Sequence, residues 1–408
     1  MMIELKGKFA DAKIFTDNVE ETALGQIIGM LNSKITEGAK VRIMPDCHAG
    51  KGSTIGTTIQ HEDWKNAKVS PNIVGVDIGC GITIVKLSNK DIDLKKLDEV
   101  VNKVIPSGNT VHETALSNKK LMDWISDGMD NAHVSLKGAT RERILKSMAT
   151  LGGGNHYIEL AQDDEGNYWL SVHSGSRGLG VKVADYHQKI ADNGVNKRIL
   201  ARKELVDKMK AEGRHSEIQT EIEKIKKRDM SIGKEKQYLE GEELEDYLDD
   251  MKFAQQYAFF NRLFMLSRIS NDMEFDWNEF YDSVHNYIDI DKGIIRKGAT
   301  SAKKGEVLVI PLNMRDGTLL CEGLGNPDWN FSAPHGAGRK MSRTQAKESI
   351  NMDTYKDQMK DIYTTSVVES TLDEAPDAYK SADEIIENIK GTAKILHHLK
   401  PVYNFKAK

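Results

Sequence analysis

The sequence predicts a mixed α/β fold of the α+β kind, in which helices flank central β-sheets. Short runs rich in β-branched residues alternate with stretches of helical periodicity and with glycine-rich turns. The apolar and charged fractions, 39% and 29% of 408 residues, are those of a globular protein. Because no internal repeat or Pro/Ser-rich linker appears, we expect residues 1–408 to form a single domain.

Six short runs have the composition of β-strands. They are residues 41–44, 55–59, 82–87, 168–172, 306–310 and 318–322. A further apolar run, 73–76, is compatible with a strand that leads into a tight turn, and residues 383–399 are predicted to form a helix.

The composition changes near residue 197, where a strongly charged stretch begins and continues to about residue 229. Isoleucines, and after them aromatic residues, recur here at helical spacing: Ile218, Ile222, Ile225, Phe253, Tyr257, Phe260 and Phe264. We predict a helical insertion over residues 196–270, whose charges are those of a solvated helix face.

Charge and cysteine content exclude several classes of protein. Lys and Arg total 57 against 62 Asp and Glu, so the net charge of −5 attracts no nucleic acid in general, and an RNA-binding function needs a local basic groove. The three cysteines, Cys47, Cys80 and Cys321, lack paired spacing and indicate reduced thiols. With no apolar signal core and no membrane-spanning run, a cytoplasmic protein without a membrane partner is predicted.

The segment VGVDIGCG, residues 74–81, places Asp77 and Cys80 three residues apart in a glycine-rich loop. A structural cysteine behaves as a small hydrophobe, whereas this one shares its loop with an ionisable carboxylate. The pattern favours a metal-binding corner, and a simple tight turn is the alternative that this stretch leaves open.

Five histidines lie in loops rich in glycine, serine and asparagine: His48 in PDCHAGKG, His156 in GGGNHYIE, His173 in SVHSGSRG, His285 in VHNY and His335 in PHGAGR. A carboxylate, a thiolate and several imidazoles form a ligand set for a divalent transition metal, whose identity they do not fix. Because a thiolate can bridge two ions and the ligands exceed the needs of one, a two-metal site with ions about 3.5 to 4 Å apart is favoured. GKGST at 50–54 lacks the first glycine of a phosphate loop, so a nucleotide would bind in another way.

Seven motifs follow one another along the chain: PDCHAGKGSTIG, VGVDIGCG, LGGGNHYIE, VHSGSRG, VHNY, RKGA and HGAGRKMSR. In this order they resemble the RtcB family of GTP-dependent RNA ligases, with fainter agreement at PDAYK and FKAK. The resemblance implies an RtcB-type fold and an enzyme that joins RNA ending in a 3′-phosphate or 2′,3′-cyclic phosphate to RNA beginning with a 5′-hydroxyl. It also implies GTP, two manganese ions, a role in RNA splicing or repair, and room for an accessory activating protein; a monomer is expected.

The resemblance also implies roles for individual residues. The matching metal ligands are Asp77, Cys80 and His156 for one ion and Cys80, His173 and His285 for the other. His335 matches the nucleophile that forms a histidine-GMP intermediate, and Asp46 matches the acid that orients its ring. The other matches to the GTP site are Asn155, Glu159, Gly336, Ala337, Gly338, Tyr379 and Lys406. The candidates for binding RNA phosphates are Arg177, Lys297, Arg339 and Arg343.

The sequence departs from the family pattern at two places. Leu312 and Asn313 interrupt a Pro-Gly-Ser-Met segment that lines the guanosine site in many relatives, and FKAK replaces a C-terminal Val-Lys-Gly. These changes make a strict preference for GTP less secure than the metal site. Two other functions remain open on the residues alone: a two-metal phosphodiesterase or phosphatase, which gives His335 no role, and an inactive module that binds RNA ends.

Overall fold

The computed structural model describes residues 2–212, 214, 217–221 and 238–408. Its strands are β1 (Ile3–Lys6), β2 (Asp11–Ile14), β3 (Ala39–His48), β4 (Ile55–His61), β5 (Gly81–Leu87), β6 (Tyr157–Gln162), β7 (Tyr168–Ser174), β8 (Trp277–Val284), β9 (Asn286–Asp289), β10 (Ile294–Lys297), β11 (Ala299–Ser301), β12 (Val307–Asn313), β13 (Gly317–Gly323), β14 (Ser332–Pro334) and β15 (Ala393–Phe405).

The α-helices are α1 (Glu21–Leu31), α2 (Pro71–Val74), α3 (Leu94–Val104), α4 (Lys119–Asn131), α5 (Gly138–Ser147), α6 (Arg177–Ala211), α7 (Glu242–Met273), α8 (Arg343–Ser349), α9 (Met352–Gln358) and α10 (Ala382–Asn388). Short 3₁₀ turns lie at Lys34–Thr36, Trp64–Asn66, Pro327–Trp329, Glu369–Glu374, Pro376–Ala378 and Ile389–Gly391.

The strands form two large sheets and one small one. The six-stranded sheet has the order β1-β2-β3-β4-β10-β9, and the seven-stranded sheet has the order β12-β13-β15-β6-β7-β5-β8. Strands β11 and β14 pair separately. Every neighbouring pair in the seven-stranded sheet is antiparallel, and in the six-stranded sheet only β2 and β3 run parallel. The α+β class predicted from the sequence is confirmed.

Helices cover the seven-stranded sheet because each has an apolar face to bury. In α3, Leu97, Val101 and Val104 recur at helical spacing and are buried, and the carboxylate of Asp93 caps the helix by accepting from the Lys96 N–H. Helix α7 packs against α3, α6, β5 and β7. Two strands of the seven-stranded sheet, β5 and β7, thereby pack directly against a helix.

Each of the six predicted strands overlaps an observed strand, but two other assignments were wrong. Residues 73–76 include the end of the short helix α2, which starts at Pro71 and stops where Gly75 adopts a φ of +99°. The predicted helix 383–399 ends at Asn388, and the rest of that range belongs to β15. The apolar residues there are held by pairing with β13 and β6, which their spacing along the chain does not show.

The predicted insertion, 196–270, is helical in much of the part that the structure describes. Helix α6 continues to Ala211, residues 217–221 are helical, and α7 begins at Glu242. Ile222 and Ile225 lie outside the described residues. The insertion boundaries and the single domain remain predictions. Within the described residues, we find no helix that combines the length and the apolar character needed to cross a membrane.

Candidate active site

Five side chains meet at one end of the seven-stranded sheet: Asp77, Cys80, His156, His173 and His285, here called the donor cluster. Cys80 Sγ lies 3.4 Å from His156 Nε2 and 3.3 Å from His173 Nε2. His285 Nε2 lies 3.3 Å from His173 Nε2, and Asp77 Oδ2 lies 3.0 Å from His156 Nε2. The structure therefore brings together all five residues that the sequence proposed as metal ligands.

Strand pairing places these residues side by side. Strand β5 begins directly after Cys80, and Gly81 lies opposite Ser174 of β7 and Val284 of β8, the neighbours of His173 and His285. The carbonyl oxygen of Cys80 accepts from the His285 N–H. A side chain at Gly175 would place its Cβ 2.0 Å from Asp77 Oδ1, so only glycine leaves room for this carboxylate.

Hydrogen bonds and burial set the states of the donor atoms. His156 Nδ1 donates to the Leu151 carbonyl oxygen at 3.0 Å, which directs Nε2 toward Asp77 and Cys80. Burial lowers the pKa values of His173 and His285 well below the usual value, so both rings are neutral. Burial and the Asp77 charge raise the pKa of the Cys80 thiol, and a bound cation would offset this by stabilising the thiolate. The cluster therefore fits a divalent transition metal.

A histidine–aspartate pair lies beside the donor cluster. His335 follows β14, and its Nδ1 donates to Asp46 Oδ2 of β3 at 2.6 Å. The His335 backbone N–H donates to the same oxygen at 3.2 Å. Gly338, with a φ of +75°, lets this loop lie against β3, because a Cβ there would be 2.1 Å from the Asp46 carbonyl oxygen. The pair is thus fixed through both its backbone and its ring.

The exposed side of His335 belongs to a cavity of about 860 Å³ that also reaches the donor cluster. The ring centroids of His335 and His285 are 4.8 Å apart, and the His335 side chain is 16% exposed whereas Asp46 is fully buried. Since Asp46 engages Nδ1, His335 Nε2 is the nitrogen available for chemistry.

Most of the predicted site residues line this cavity. They are Asp77, Cys80, Asn155, Glu159, His173, His285, His335, Gly336, Ala337, Gly338, Arg339, Arg343, Tyr379 and Lys406. Asp46 and His156 are held against lining residues by their hydrogen bonds. Pro311, Leu312, Asn313 and Met314, where the sequence departs from the family pattern, also line the cavity.

Two of the four predicted phosphate-binding residues are not among the lining residues. Arg177 donates to Thr150 Oγ1 and to the Gly108 carbonyl oxygen. Lys297 Nζ donates to the carbonyl oxygens of Lys51 and Asn72, and burial lowers its pKa to about 8. These polar groups hold loops around the site.

A buried polar wall forms one side of the cavity. Glu159 accepts from Thr318 Oγ1 at 3.1 Å and from Asn404 Nδ2 at 3.0 Å. Burial raises the pKa of Glu159 to about 7, against the opposing effects of these two hydrogen bonds and of the Lys406 charge. This carboxyl group is therefore harder to ionise than an ordinary glutamate.

The carboxylate of Glu374 binds two positively charged side chains and a hydroxyl group in the cavity. It accepts from Lys406 Nζ at 2.9 Å, from the Tyr379 hydroxyl at 2.6 Å and from Arg343 Nη1 at 2.5 Å. Burial opposes ionisation, but the charges of Lys406 and Arg343 outweigh it and lower the pKa to about 2. Glu374 thus fixes two residues that the sequence proposed for guanosine binding.

Sequence reasoning missed Glu374 and Asn404. Glu374 precedes the PDAYK motif in an acidic run, LDEAPDAYK, and that position was the available signal. Asn404 is the polar residue within VYNF, an otherwise apolar stretch of β15. Because the preceding residues were assigned to a helix, nothing in the sequence indicated that Asn404 lies in a strand beside the site.

Residues 31–407 match the sequence model of the family described as tRNA-splicing ligase RtcB. RNA-splicing ligase RtcB of Escherichia coli K12 is 29% identical over 405 aligned residues, which cover 89% of this chain and 88% of the relative. RNA-splicing ligase RtcB homolog 1 of Entamoeba histolytica is 26% identical, with 88% and 79% covered, and tRNA-splicing ligase RtcB of Aeropyrum pernix is 25% identical, with 88% and 86% covered. Because the family match spans nearly the whole sequence and the motifs meet in one cavity, the chain belongs to the RtcB family of tRNA-splicing ligases.

Proposed function

We propose that this protein is an RNA ligase that joins 3′-phosphate or 2′,3′-cyclic phosphate ends to 5′-hydroxyl ends, in RNA splicing or RNA repair. The reaction uses GTP and passes through a histidine-GMP adduct on His335 and an RNA-3′-pp-5′-G end. The observation that carries the proposal is the pair of His335 and Asp46, which shares a cavity with the donor cluster without belonging to it.

His335 is the proposed nucleophile because its ring is held in one tautomer. The Nδ1–H group donates a hydrogen bond to Asp46 Oδ2 at 2.6 Å, so Nε2 carries the lone pair. As Nε2 attacks the α-phosphorus of GTP, the nitrogen–phosphorus bond forms and pyrophosphate leaves. Asp46 stabilises the positive charge that develops on the ring.

The donor cluster would hold two divalent cations, for which we propose manganese. Asp77, Cys80 and His156 would bind one ion, and Cys80, His173 and His285 would bind the other. Such ions, when bound, neutralise phosphate oxygens and acidify coordinated hydroxyl groups. The neutral imidazoles of His173 and His285 support this assignment, since neither ring must first lose a proton.

The remaining cavity residues suit a guanosine nucleotide. Lys406 and Tyr379 are fixed by Glu374, and Glu159 offers a buried acceptor to the base. We propose that Asn155 and the backbone of Gly336, Ala337 and Gly338 contact the phosphate and sugar of the same nucleotide, because all four line the cavity beside His335.

RNA takes part in the reaction only after His335 has been guanylylated. Water opens a cyclic phosphate to a 3′-phosphate, whose oxygen takes GMP from His335 and frees the imidazole. The 5′-hydroxyl of the second RNA then attacks the activated end, forms the phosphodiester and releases GMP. All four predicted phosphate-binding residues bond to other protein groups. Arg343 and Arg339 are the better candidates, because they also line the cavity and Arg177 and Lys297 do not.

Labelling with GTP tests the first step. Incubation with manganese and α-labelled GTP, without RNA, should leave acid-labile and alkali-stable label on the protein, as expected of a nitrogen–phosphorus bond. His335→Ala should abolish labelling but still join RNA that already carries a guanylylated 3′ end. His133→Ala is the matched control, because His133 also lies beside an aspartate, Asp246, but at the surface.

Three results would overturn the proposal. Wild-type labelling in His335→Ala would remove the nucleophile. Release of free phosphate from RNA ends without any adduct would favour the two-metal hydrolase, and binding of RNA ends with no turnover would favour the inactive module. The cytoplasmic location, the monomeric state and an accessory protein remain further parts of the proposal, to be examined by fractionation, sedimentation and co-purification.

A further inference from the structure

We infer that Asn404 determines nucleotide specificity: its side-chain carbonyl oxygen accepts a hydrogen bond from the 2-amino group of guanine and so favours guanine over purines that lack this group. The inference deepens the proposed function and rests on it, since it takes the cavity to hold a guanosine nucleotide.

Asn404 lies in the cavity wall opposite Glu159. The two residues are cross-strand partners in the register of β15 and β6, and the Asn404 residue is 1% exposed. Lys406 follows two positions later and therefore lies on the same face of β15. All three residues line the cavity.

The orientation of the Asn404 amide follows from its neighbour. Asn404 Nδ2 donates to Glu159 Oε2, 3.0 Å away, which is the orientation that an ionised carboxylate requires, since it can only accept hydrogen bonds. Thr318 occupies the other carboxylate oxygen from β13. Asn404 Oδ1 is buried and accepts no hydrogen bond from any residue that the structure describes. A buried acceptor without a partner is unfavourable, and a ligand in the cavity can supply the missing donor.

The chemistry of the wall matches guanine better than other purines. The edge of guanine presents an acceptor at O6 and three N–H groups, one on N1 and two on N2. Glu159 can accept one N–H from each nitrogen, and Lys406 can donate to O6. The second N–H on N2 then needs one more acceptor, and Asn404 Oδ1 is that group. Hypoxanthine has no N–H at this position, and adenine presents an acceptor at N1.

Binding of GMP and of IMP to the full chain, measured by calorimetry, tests the inference. Replacing Asn404 with leucine keeps a similar volume but removes the acceptor, and the ratio of GMP to IMP affinity should fall about three- to tenfold. Asn404→Ala is the second variant, and thermal unfolding shows which of the two is folded.

Thr318→Val is the matched control. It also removes one hydrogen bond to Glu159, but it leaves Asn404 Oδ1 in place. It should weaken GMP and IMP to the same extent, so that their ratio stays at the wild-type value. The contrast separates a lost acceptor from a weakened Glu159.

The outcomes distinguish this inference from the proposed function. An unchanged ratio in a folded Asn404 variant overturns the inference, and so does an equal fall of the ratio in Thr318→Val or a wild-type protein that does not bind GMP. If His335 still takes label from GTP, the proposed function survives such a result. A ratio that falls only in the Asn404 variants supports the inference, even in a protein that forms no adduct.

Discussion

The pair formed by His335 and Asp46 can be compared with a second pair, His187 and Asp250, which joins α6 to α7. In the second pair, His187 Nε2 lies 2.8 Å from Asp250 Oδ2, close to the 2.6 Å of the first. His187 is fully buried, and its Nδ1 has no partner among the described residues. Asp250 also accepts from the backbone N–H groups of His133 and Val134.

The difference lies in what surrounds the second ring nitrogen. At His187 that nitrogen is enclosed by protein, and the carboxylate holds a loop against two helices. At His335 the second nitrogen is on the side of a large cavity, next to a cluster of potential cation ligands. A hydrogen-bonded histidine and aspartate are thus not evidence of catalysis by themselves; access and neighbouring charge distinguish the two roles.

Asp46→Asn is the most direct way to break the comparison. An amide at Asp46 can donate to His335 Nδ1 and thereby place the proton on Nε2, the wrong tautomer for attack. We expect the rate of histidine guanylylation to fall about 1,000- to 10,000-fold, measured as incorporation of label from GTP. An Asp46→Asn protein that is folded and guanylylates at more than a tenth of the wild-type rate would contradict this role.

A change in the donor cluster should have the next largest effect. The cluster lies beside the pair of His335 and Asp46, and it is one of the features that distinguish this pair from His187 and Asp250. In Cys80→Ser a hydroxyl replaces the thiolate that we propose as a bridge between two cations, and the affinity for manganese should fall by on the order of 100-fold or more. Metal analysis after gel filtration measures this. Cys321→Ser, at a buried cysteine in another part of the core, is the control and should retain metal. Two tightly bound equivalents in Cys80→Ser would disprove the bridge.

The raised pKa of Glu159 gives a smaller effect that depends on pH. Burial places this pKa at about 7, so the carboxylate predominates above pH 7 and is lost as the pH falls below it. If the carboxylate accepts from guanine, the affinity for guanosine should drop by up to about tenfold for each pH unit below 7. Guanosine is the ligand in this measurement because it carries no phosphate group that titrates in the same pH range. Glu159→Gln should bind weakly at every pH, and a wild-type affinity that is flat between pH 5.5 and 8 would refute the prediction.

Asp250→Asn should affect the chemistry least and so complete the comparison. Guanylylation at 25 °C should stay within about twofold of wild type, because this pair lies outside the cavity. The free energy of unfolding in urea should fall by about 2 kcal/mol, since the amide cannot accept all three hydrogen bonds. Asp246→Asn, at the exposed partner of His133, should change it by less than about 0.5 kcal/mol. Loss of guanylylation in folded Asp250→Asn would place this pair in the catalytic machinery after all.

The sequence predicted which side chains meet in the donor cluster better than it predicted the sheet that holds them. The strand starting at Gly81 was recognisable from its β-branched composition, and the motif around Cys80 directly precedes it. The sheet order was not predictable, because β15 lies between β13 and β6, strands that are far from it along the chain. That same long-range pairing explains why part of 383–399 was mistaken for a helix.

Single side chains were harder to assign than motifs. Arg177 and Lys297 belong to recognisable motifs, yet their polar groups bond to backbone carbonyl oxygens that no local pattern reveals. Asp46 was assigned by resemblance, and the structure adds the contact with His335 that explains its position. Asn404 lies outside the matched motifs, and only the register with Glu159 shows its relation to the cavity.

The central position of β15 has a consequence for how the protein is made. This strand contains the residues of the seven-stranded sheet that leave the ribosome last, after β5, β6, β7, β8, β12 and β13 have been synthesised. Until then β6 and β13 have no strand between them, and the cavity lacks both Asn404 and Lys406. Nascent chains that stop before residue 393 should therefore expose two strand edges and bind no nucleotide, which makes late translational arrest a direct route to aggregation.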